Sequence, residues 1–338
     1  MRFQNVSVIG LASIDAPHRV TSADIETALA PVMERFRVPR GLLENLSGIT
    51  ARRFWDPETQ PSEVATLAGQ KAIEDAGIDP DRIGVLVNTS VSKDYVEPSV
   101  AALVHGNLKL GPHCMNFDVG NACLGFLNGM QIIANMIDMG QVDYGLVVNG
   151  EGSRQAIEAT INRMLDPKCD MRTWRSQYAT LTLGSGAAAM VLGRYDLHPE
   201  GHRLTWGISM AATQHSRLCL GQPDEMVTDS KRLLHAGINL SVQMRDKMVD
   251  QIRRDPNDFE EIIIHQVSQV HTDALVEAIN LDNEKLLRIY PEFGNMGPVG
   301  IPAALYKSLE LGRIEKGDRI GLYGIGSGVN SMAMEVVW

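Results

Sequence analysis

The 338 residues contain no apolar run long enough to span a bilayer, so a membrane-crossing helix is not expected. The opening Met1-Arg2-Phe3-Gln4-Asn5-Val6 lacks the apolar core of a secretory signal and leads directly into a strand-like segment. An excess of basic charge is also missing. The formal net charge is −10, which argues against a nucleic-acid surface. Cysteine is sparse. Cys114, Cys123, Cys169 and Cys219 are far apart and form no CxxC pair, so neither a disulfide framework nor a zinc site is expected. A reducing cytoplasm suits such a chain. There is no low-complexity tract or linker. Apolar residues make up 44% of the sequence, ample for a large core in one big domain or two fused halves.

The patterned segments alternate between strand and helix. Val6–Gly10 reads as the first strand. Thr21, three residues before Asp24, marks a helix start. Ser62 to Ala76 has helical spacing at Val64, Leu67, Ala68 and Ala72, and Gly77 supplies the left-handed stop. Ile83–Val87 and Tyr144–Val148 are continuous apolar runs, as in parallel strands covered on both faces. Pro98 to Leu108 reads as a helix. The segment from Glu151 to Tyr178 is polar and helical in pattern, and Thr180 to Leu192 reads as a tightly packed strand pair or turn.

The second half repeats this grammar. Glu261–His265 echoes Val85–Asn88, Gly294-Asn295 echoes Gly120-Asn121, and Gly317–Leu322 echoes Val142–Leu146. The three echoes share nearly the same offset along the chain. A near-constant offset across strand, loop and strand predicts a duplicated βαβ unit, with two halves around a pseudo-twofold. The halves are expected to be residues 1–198 and 199–338, meeting in the polar stretch around Arg194 to His202. Ligands bind at the carboxyl ends of parallel strands. Cys123, His265, Asn295 and Gly324–Gly328 are expected at those ends.

Cys123 lies where Met115, Phe117 and Val119 alternate like a strand and Leu127, Met130, Ile133 and Ile137 take up helical spacing. A thiol at a helix start faces unpaired N–H groups, which favour a thiolate. The other reading is a small buried hydrophobe. Taken singly, His265 is more simply a structural histidine after an apolar strand. Asn295 between glycines is more simply a turn residue, and Gly324–Gly328 a plain turn that does not match the dinucleotide fingerprint. Taken together, Cys, His, Asn and a loop of backbone N–H groups form a constellation for acyl transfer through a thioester.

Asp118–Phe126 around the cysteine, Ile264-His265-Gln266, Gly294–Gly297 and Leu322–Gly328 together resemble a ketoacyl synthase III of the thiolase superfamily. Asn88–Ser99, Met226–Asp229 and the ending Ala333–Trp338 are similar to its olefin-biosynthesis branch, the OleA-type enzymes. These join two long fatty acyl-CoA molecules head to head. The resemblance implies an α/β thiolase fold, two βαβ halves packed as a five-layer αβαβα sandwich. It implies that Cys123 is acylated, and that the N–H groups of Cys123 and Ser327 form an oxyanion hole. His265 and Asn295 then hold the second thioester and its enolate. Arg52 matches a position near the coenzyme A phosphates, although a surface cation is its simpler reading. No cofactor is implied beyond acyl-CoA as substrate.

Glu97 departs from the fatty-acid-synthesis branch, where this position is apolar. A carboxylate beside an acyl chain is costly unless it has work to do. A condensation without decarboxylation needs a base for the α-proton, and Glu97 reaching across a homodimer would supply it. A solvated loop acid beside Asp94 is the other reading. Cys114, Cys169 and Cys219 read as structural, and His271 as a non-catalytic helix residue. A decarboxylative 3-oxoacyl-[acyl-carrier-protein] synthase III using malonyl groups is the alternative function. A non-catalytic partner subunit is a third, against which an intact Cys123, His265 and Asn295 count. Hydroxymethylglutaryl-CoA synthase is a longer relative. Downstream hydrocarbon-pathway enzymes are the further partners the resemblance implies.

Overall fold

Strands that are apolar along their whole length must be covered on both faces, and nine strands of this chain form one sheet of that kind. The computed structural model describes all residues, Met1–Trp338. The strands are β1 (Val6–Asp15), β2 (Ile83–Asn88), β3 (Met115–Asp118), β4 (Tyr144–Glu151), β5 (Gly186–Arg194), β6 (His202–Ala211), β7 (Glu261–Ile264), β8 (Arg319–Gly326) and β9 (Asn330–Val337). Their order is β7-β8-β9-β6-β1-β5-β4-β2-β3.

The duplication is visible in this order. From the β3 edge inward, β2 and β4 are parallel, and β5 and β1 follow antiparallel. From the other edge, β7 and β8 are parallel, and β9 and β6 follow antiparallel. The two runs join where Ser7 and Val8 of β1 pair with Arg203 and His202 of β6. The starts of β4 and β8, at Tyr144 and Arg319, are separated along the chain by the offset that the sequence echo predicts. One strand has no counterpart. Where an equivalent of β3 would run, Leu286–Ile289 is irregular, and the Gln266 amide takes over the pairing. Its Oε1 accepts from the N–H groups of Ile289 and Tyr290, and its Nε2 donates to Leu287 O.

Six helices cover the sheet: α1 (Pro61–Ala76), α2 (Val100–Leu108), α3 (Gly125–Asp138), α4 (Ser230–Ile252), α5 (Gln269–Ala278) and α6 (Gly300–Glu310). α1 and α2 pack on one face of the first run. α4 and α5 pack over the second. α3 and α6 start at equivalent positions of the two repeats and share the largest core, with Leu127, Met130 and Ile133 from α3 and Ile301, Ala304 and Leu305 from α6. The local sequence signals hold. Thr21 and Asp24 form a reciprocal capping box, and Gly77 ends α1 at φ 63°. The Glu151–Tyr178 segment differs from its pattern at the start, because Glu151 is the buried last residue of β4. No helix is long and apolar enough to cross a membrane.

The fold brings β8 against the turn that carries Cys123. A Cβ on Gly326 would stand 2.9 Å from Asn121 O and 3.2 Å from Leu124 N. The neighbours are backbone, so they cannot swing aside. Gly326→Ala is expected to destabilise the protein by about 1–3 kcal/mol, as overpacked cores do, and to slow acylation of Cys123. Urea unfolding and the rate of adduct formation check this. A variant with wild-type values in both would show that β8 does not brace the cysteine turn.

Candidate active site

Cys123 sits in a single 3₁₀ turn, Ala122–Leu124, between the end of β3 and the start of α3. Ala122 has φ 46°, a left-handed conformation that costs a non-glycine residue roughly 1–2 kcal/mol. The Cys123 turn packs against Gly297–Val299 and against β8. The N–H groups of Cys123 and Ser327 make no hydrogen bond to the backbone, so both remain free to donate. The surroundings of the thiol work against the expected thiolate. Desolvation, then the nearby Glu151 carboxylate, push the Cys123 thiol up to about 12.

Asn295 is held on three sides. Its N–H donates to Thr182 O, its carbonyl accepts from Gly184 N–H, and its Oδ1 accepts from Gly297 N–H at 3.0 Å. With Oδ1 occupied, the side-chain amide is left facing outward as a donor. Gly294, with φ 67°, makes the reversal that permits this. His265 follows β7 and is buried, with Nδ1 unpaired near the start of α6. Burial, then the neighbouring His271, lower it to about 4. The ring is therefore neutral at pH 7. Gly297 connects the three groups, since it touches His265, anchors Asn295 and belongs to the turn packed on Cys123. Two neutral donors and two free N–H groups around a thiol can carry acyl transfer.

The model of 3-oxoacyl-[acyl-carrier-protein] synthase III matches residues 117–205, and that of its C-terminal region matches residues 249–338. An acyl-CoA:acyl-CoA alkyltransferase of Xanthomonas campestris is 47% identical over 338 residues, covering 100% of both chains. The chain belongs to the acyl-CoA:acyl-CoA alkyltransferase family. The alkyltransferase of Shewanella oneidensis is 35% identical, again over 100% of both. A β-ketoacyl-[acyl-carrier-protein] synthase III of Bacillus cereus is 25% identical over 99% of each. The crystal structure of Xanthomonas OleA with cerulenin bound has a TM-score of 0.98 at 47% identity, covering 100% of this chain and 98% of that one. Xanthomonas OleA has also been solved with a cysteine, a glutamate or a histidine substituted.

Other residues of this alkyltransferase stand differently from their sequence reading. Arg52 is fully buried, donating to Val20 O and Ser22 Oγ, with Nε and Nη2 unpaired. Desolvation lowers it to about 10. A side chain enclosed by protein cannot reach a coenzyme phosphate in solvent, so the structure does not support that role. Cys114 and Cys169 are buried and structural as expected. Cys219 is not remote, because it adds to the upward push on Cys123. His271 lies on α5, paired with Ser268 Oγ. Glu97 is exposed, next to a Val96 that is 99% exposed. It is not gathered with the other groups within its own chain.

Sequence pattern does not single out Glu151. It is 7% exposed at the end of β4, between Gly150 and Gly152, where the pattern suggests the first acid of a polar helix. Its carboxylate accepts from Val91 N–H at 2.6 Å, Ser92 N–H at 3.2 Å and Ser92 Oγ–H at 2.8 Å. Burial still raises it to about 7 against those three donors. The echo of β4 in β8 is the usable signal, because it makes residue 151 the counterpart of Gly326, at a strand end facing the site.

The state of the thiol is measurable. Alkylation of Cys123 by iodoacetamide should be slow at pH 7 and still accelerating at pH 10, because only the thiolate reacts. A rate that levels off below pH 8 would show a stabilised thiolate instead.

Proposed function

We propose that this alkyltransferase joins two long-chain fatty acyl-CoA molecules by a non-decarboxylative, head-to-head Claisen condensation, giving a 2-alkyl-3-keto acid for olefin biosynthesis. The observation that carries this is the end-to-end 47% identity with the Xanthomonas acyl-CoA:acyl-CoA alkyltransferase. Cys123 attacks the first thioester and releases coenzyme A. Burial raises the thiol and lowers His265, and both shifts disfavour a charged thiolate–imidazolium pair before attack. The proton leaves Cys123 as the carbonyl oxygen enters the N–H groups of Cys123 and Ser327, and it ends on the departing coenzyme A sulfur. His265 and Asn295 then hold the carbonyl oxygen of the second acyl-CoA. Negative charge grows there as the α-proton leaves, and neutral donors favour that change over the ground state. The enolate carbon attacks the acyl-cysteine and frees the thiol. Hydrolysis of the remaining thioester gives the acid.

Glu97 is the base in this reading, and it acts on the partner's site. The glutamate, cysteine and histidine substituted in Xanthomonas OleA are spaced as 97, 123 and 265 are here, which supports the choice of these residues. A homodimer is supported by the exposed apolar tip Tyr95-Val96 and by the open sheet edge at β3, where Met115 is exposed. The loop is held firm beneath that tip. Asp94 accepts from Ser62 N–H and Oγ–H, and Asp118 from Val100 N–H, Ala101 N–H and Lys93 Nζ. We read the packing as a five-layer αβαβα sandwich with halves at 1–198 and 199–338. Helices on both sides of each strand run, and the β1–β6 junction just after residue 198, support that reading. Four free thiols suit a cytoplasmic enzyme. Downstream hydrocarbon-pathway enzymes would take the product.

The decarboxylative alternative uses malonyl groups, which need no base, so Glu97 decides between the two. Purified protein given myristoyl-CoA alone is expected to yield the 2-alkyl-3-keto acid, detected by mass spectrometry. Product only on adding malonyl-acyl carrier protein would reverse the assignment. His265→Ala and Asn295→Ala should each slow condensation by about 10²–10³-fold. Glu97→Ala should abolish it. All three should still form an acyl adduct on Cys123, and loss of that burst in all of them would contradict the order of steps.

A further inference from the structure

Glu151 is a carboxylate buried in the wall of the site, yet all three of its hydrogen-bond donors come from the first residues of the loop that ends in Glu97. We propose that Glu151 is a positioning residue, which fixes the Val91–Pro98 loop so that Glu97 is presented to the partner's Cys123. This rests on the reading of Glu97 as a base acting across a homodimer.

Three observations carry it. First, the bonds are directional. Two carboxylate oxygens receive Val91 N–H, Ser92 N–H and Ser92 Oγ–H together. A neutral amide has one acceptor oxygen and cannot receive all three as well. Ser92 Oγ in turn accepts from Gly152 N–H at 3.1 Å, so the loop base is tied to the residue after β4 as well. Second, the other loop anchors are elsewhere. Asp94 binds the start of α1, and Asp118 binds the start of α2. Of the three carboxylates, Glu151 is the one whose charge is felt by Cys123, and it lies beside Gly297. It is therefore the physical link between one chain's own acylation site and the loop that serves the other site. Third, burying a carboxylate is expensive unless its bonds return something. A backbone turn or a serine could close this loop at less cost. The carboxylate is explained if the loop has to be held rigidly at its base as well as at Asp94, because Glu97 lies beyond both anchors.

Mixed dimers separate this from a local effect on Cys123. A Cys123→Ser chain paired with a Glu97→Ala chain has one complete site, with cysteine from the second chain and glutamate from the first. Glu151→Gln is then introduced into either chain. In the chain that supplies Glu97, it should reduce condensation on the order of 10- to 100-fold, the usual consequence of a misplaced catalytic group, with acyl-Cys123 still forming. In the chain that supplies Cys123, the loss should be at least several-fold smaller. Equal loss in both placements, or the larger loss in the Cys123-supplying chain, overturns the proposal. An inactive parent mixture shows instead that Glu97 does not act across the dimer, and the proposal falls with that reading. Should Glu151→Gln fail to fold, as judged by thermal melting, Ser92→Ala removes one donor to the same carboxylate. It is placed in the same two ways, and the same difference between the two placements is expected. Amide exchange at Val91 and Ser92, faster in Glu151→Gln than in Glu97→Ala, is the accompanying readout. Unchanged exchange there would show that Glu151 does not hold the loop.

Discussion

Two equivalent turns, one from each half of the chain, press against each other, and the active centre exists because they do. Ala122–Leu124 precedes α3, Gly297–Val299 precedes α6, and the two helices begin at matching positions of the repeat. Each turn alone is ordinary strand-to-helix punctuation. Brought into contact, they set a nucleophile from one half against a bound amide and a neutral imidazole from the other. The contact needs close approach of backbone at Gly326, and a left-handed residue, φ 56°, at Gly297, which explains the absence of side chains at both. It also explains the left-handed Ala122, since a relaxed residue there would turn the thiol away.

That contact excludes water, and desolvation then governs every titrating group around it. The thiol is raised, the imidazole lowered and the Glu151 carboxyl raised. All three shifts favour the uncharged form. A neutral thiol and a neutral imidazole suit an uncharged thioester at rest and reserve their electrostatic response for charge that develops during reaction. The stability consequences have opposite signs. His265 binds a proton more readily when unfolded, so its contribution is complete above about pH 6.5 and is lost as pH falls toward 4. Glu151 binds a proton more readily when folded, so its contribution is complete below about pH 4.5 and is lost as pH rises toward 7. The two windows overlap between pH 4.5 and 6.5, where the effects oppose each other.

Much of this is legible in the sequence, where the signal is local or repeated. The parallel strands declare themselves by unbroken apolar runs, and the duplication by a near-constant offset. The offset locates Cys123 and His265 after strands, whereas Asn295, expected at a third strand end, follows the short helix Tyr290–Phe293 because that strand is missing from the second half. What cannot be read depends on surroundings distant in the chain. Arg52 looks like any surface cation, and its burial comes from elements such as Tyr178, far along the sequence. The upward push on the thiol cannot be anticipated, because helix position is visible in sequence whereas desolvation is not. Gln266 shows the same limit. Its replacement of a strand's pairing at Ile289 and Tyr290 cannot be anticipated from a polar residue following a histidine.

The halves have diverged most where the two parallel strands β2 and β7 end. After β7, only His265–Ser268 separates strand from helix, and the first of those residues faces the site. After β2, the connection runs from Thr89 to Ser99, and its tip leaves the chain's own surface. A short connection can place a side chain only near its own strand end. The longer one gains reach but loses rigidity, because each added residue brings conformational freedom that must be removed. The buried acid Glu151 and the half-buried Asp118 and Asp94 remove it, gripping the connection along its inner side and leaving Tyr95, Val96 and Glu97 outside. Asymmetry between the repeats thus has a physical basis. One half completes its own site at short range, while the other builds a braced arm whose exposed apolar tip is stable only when a second surface covers it.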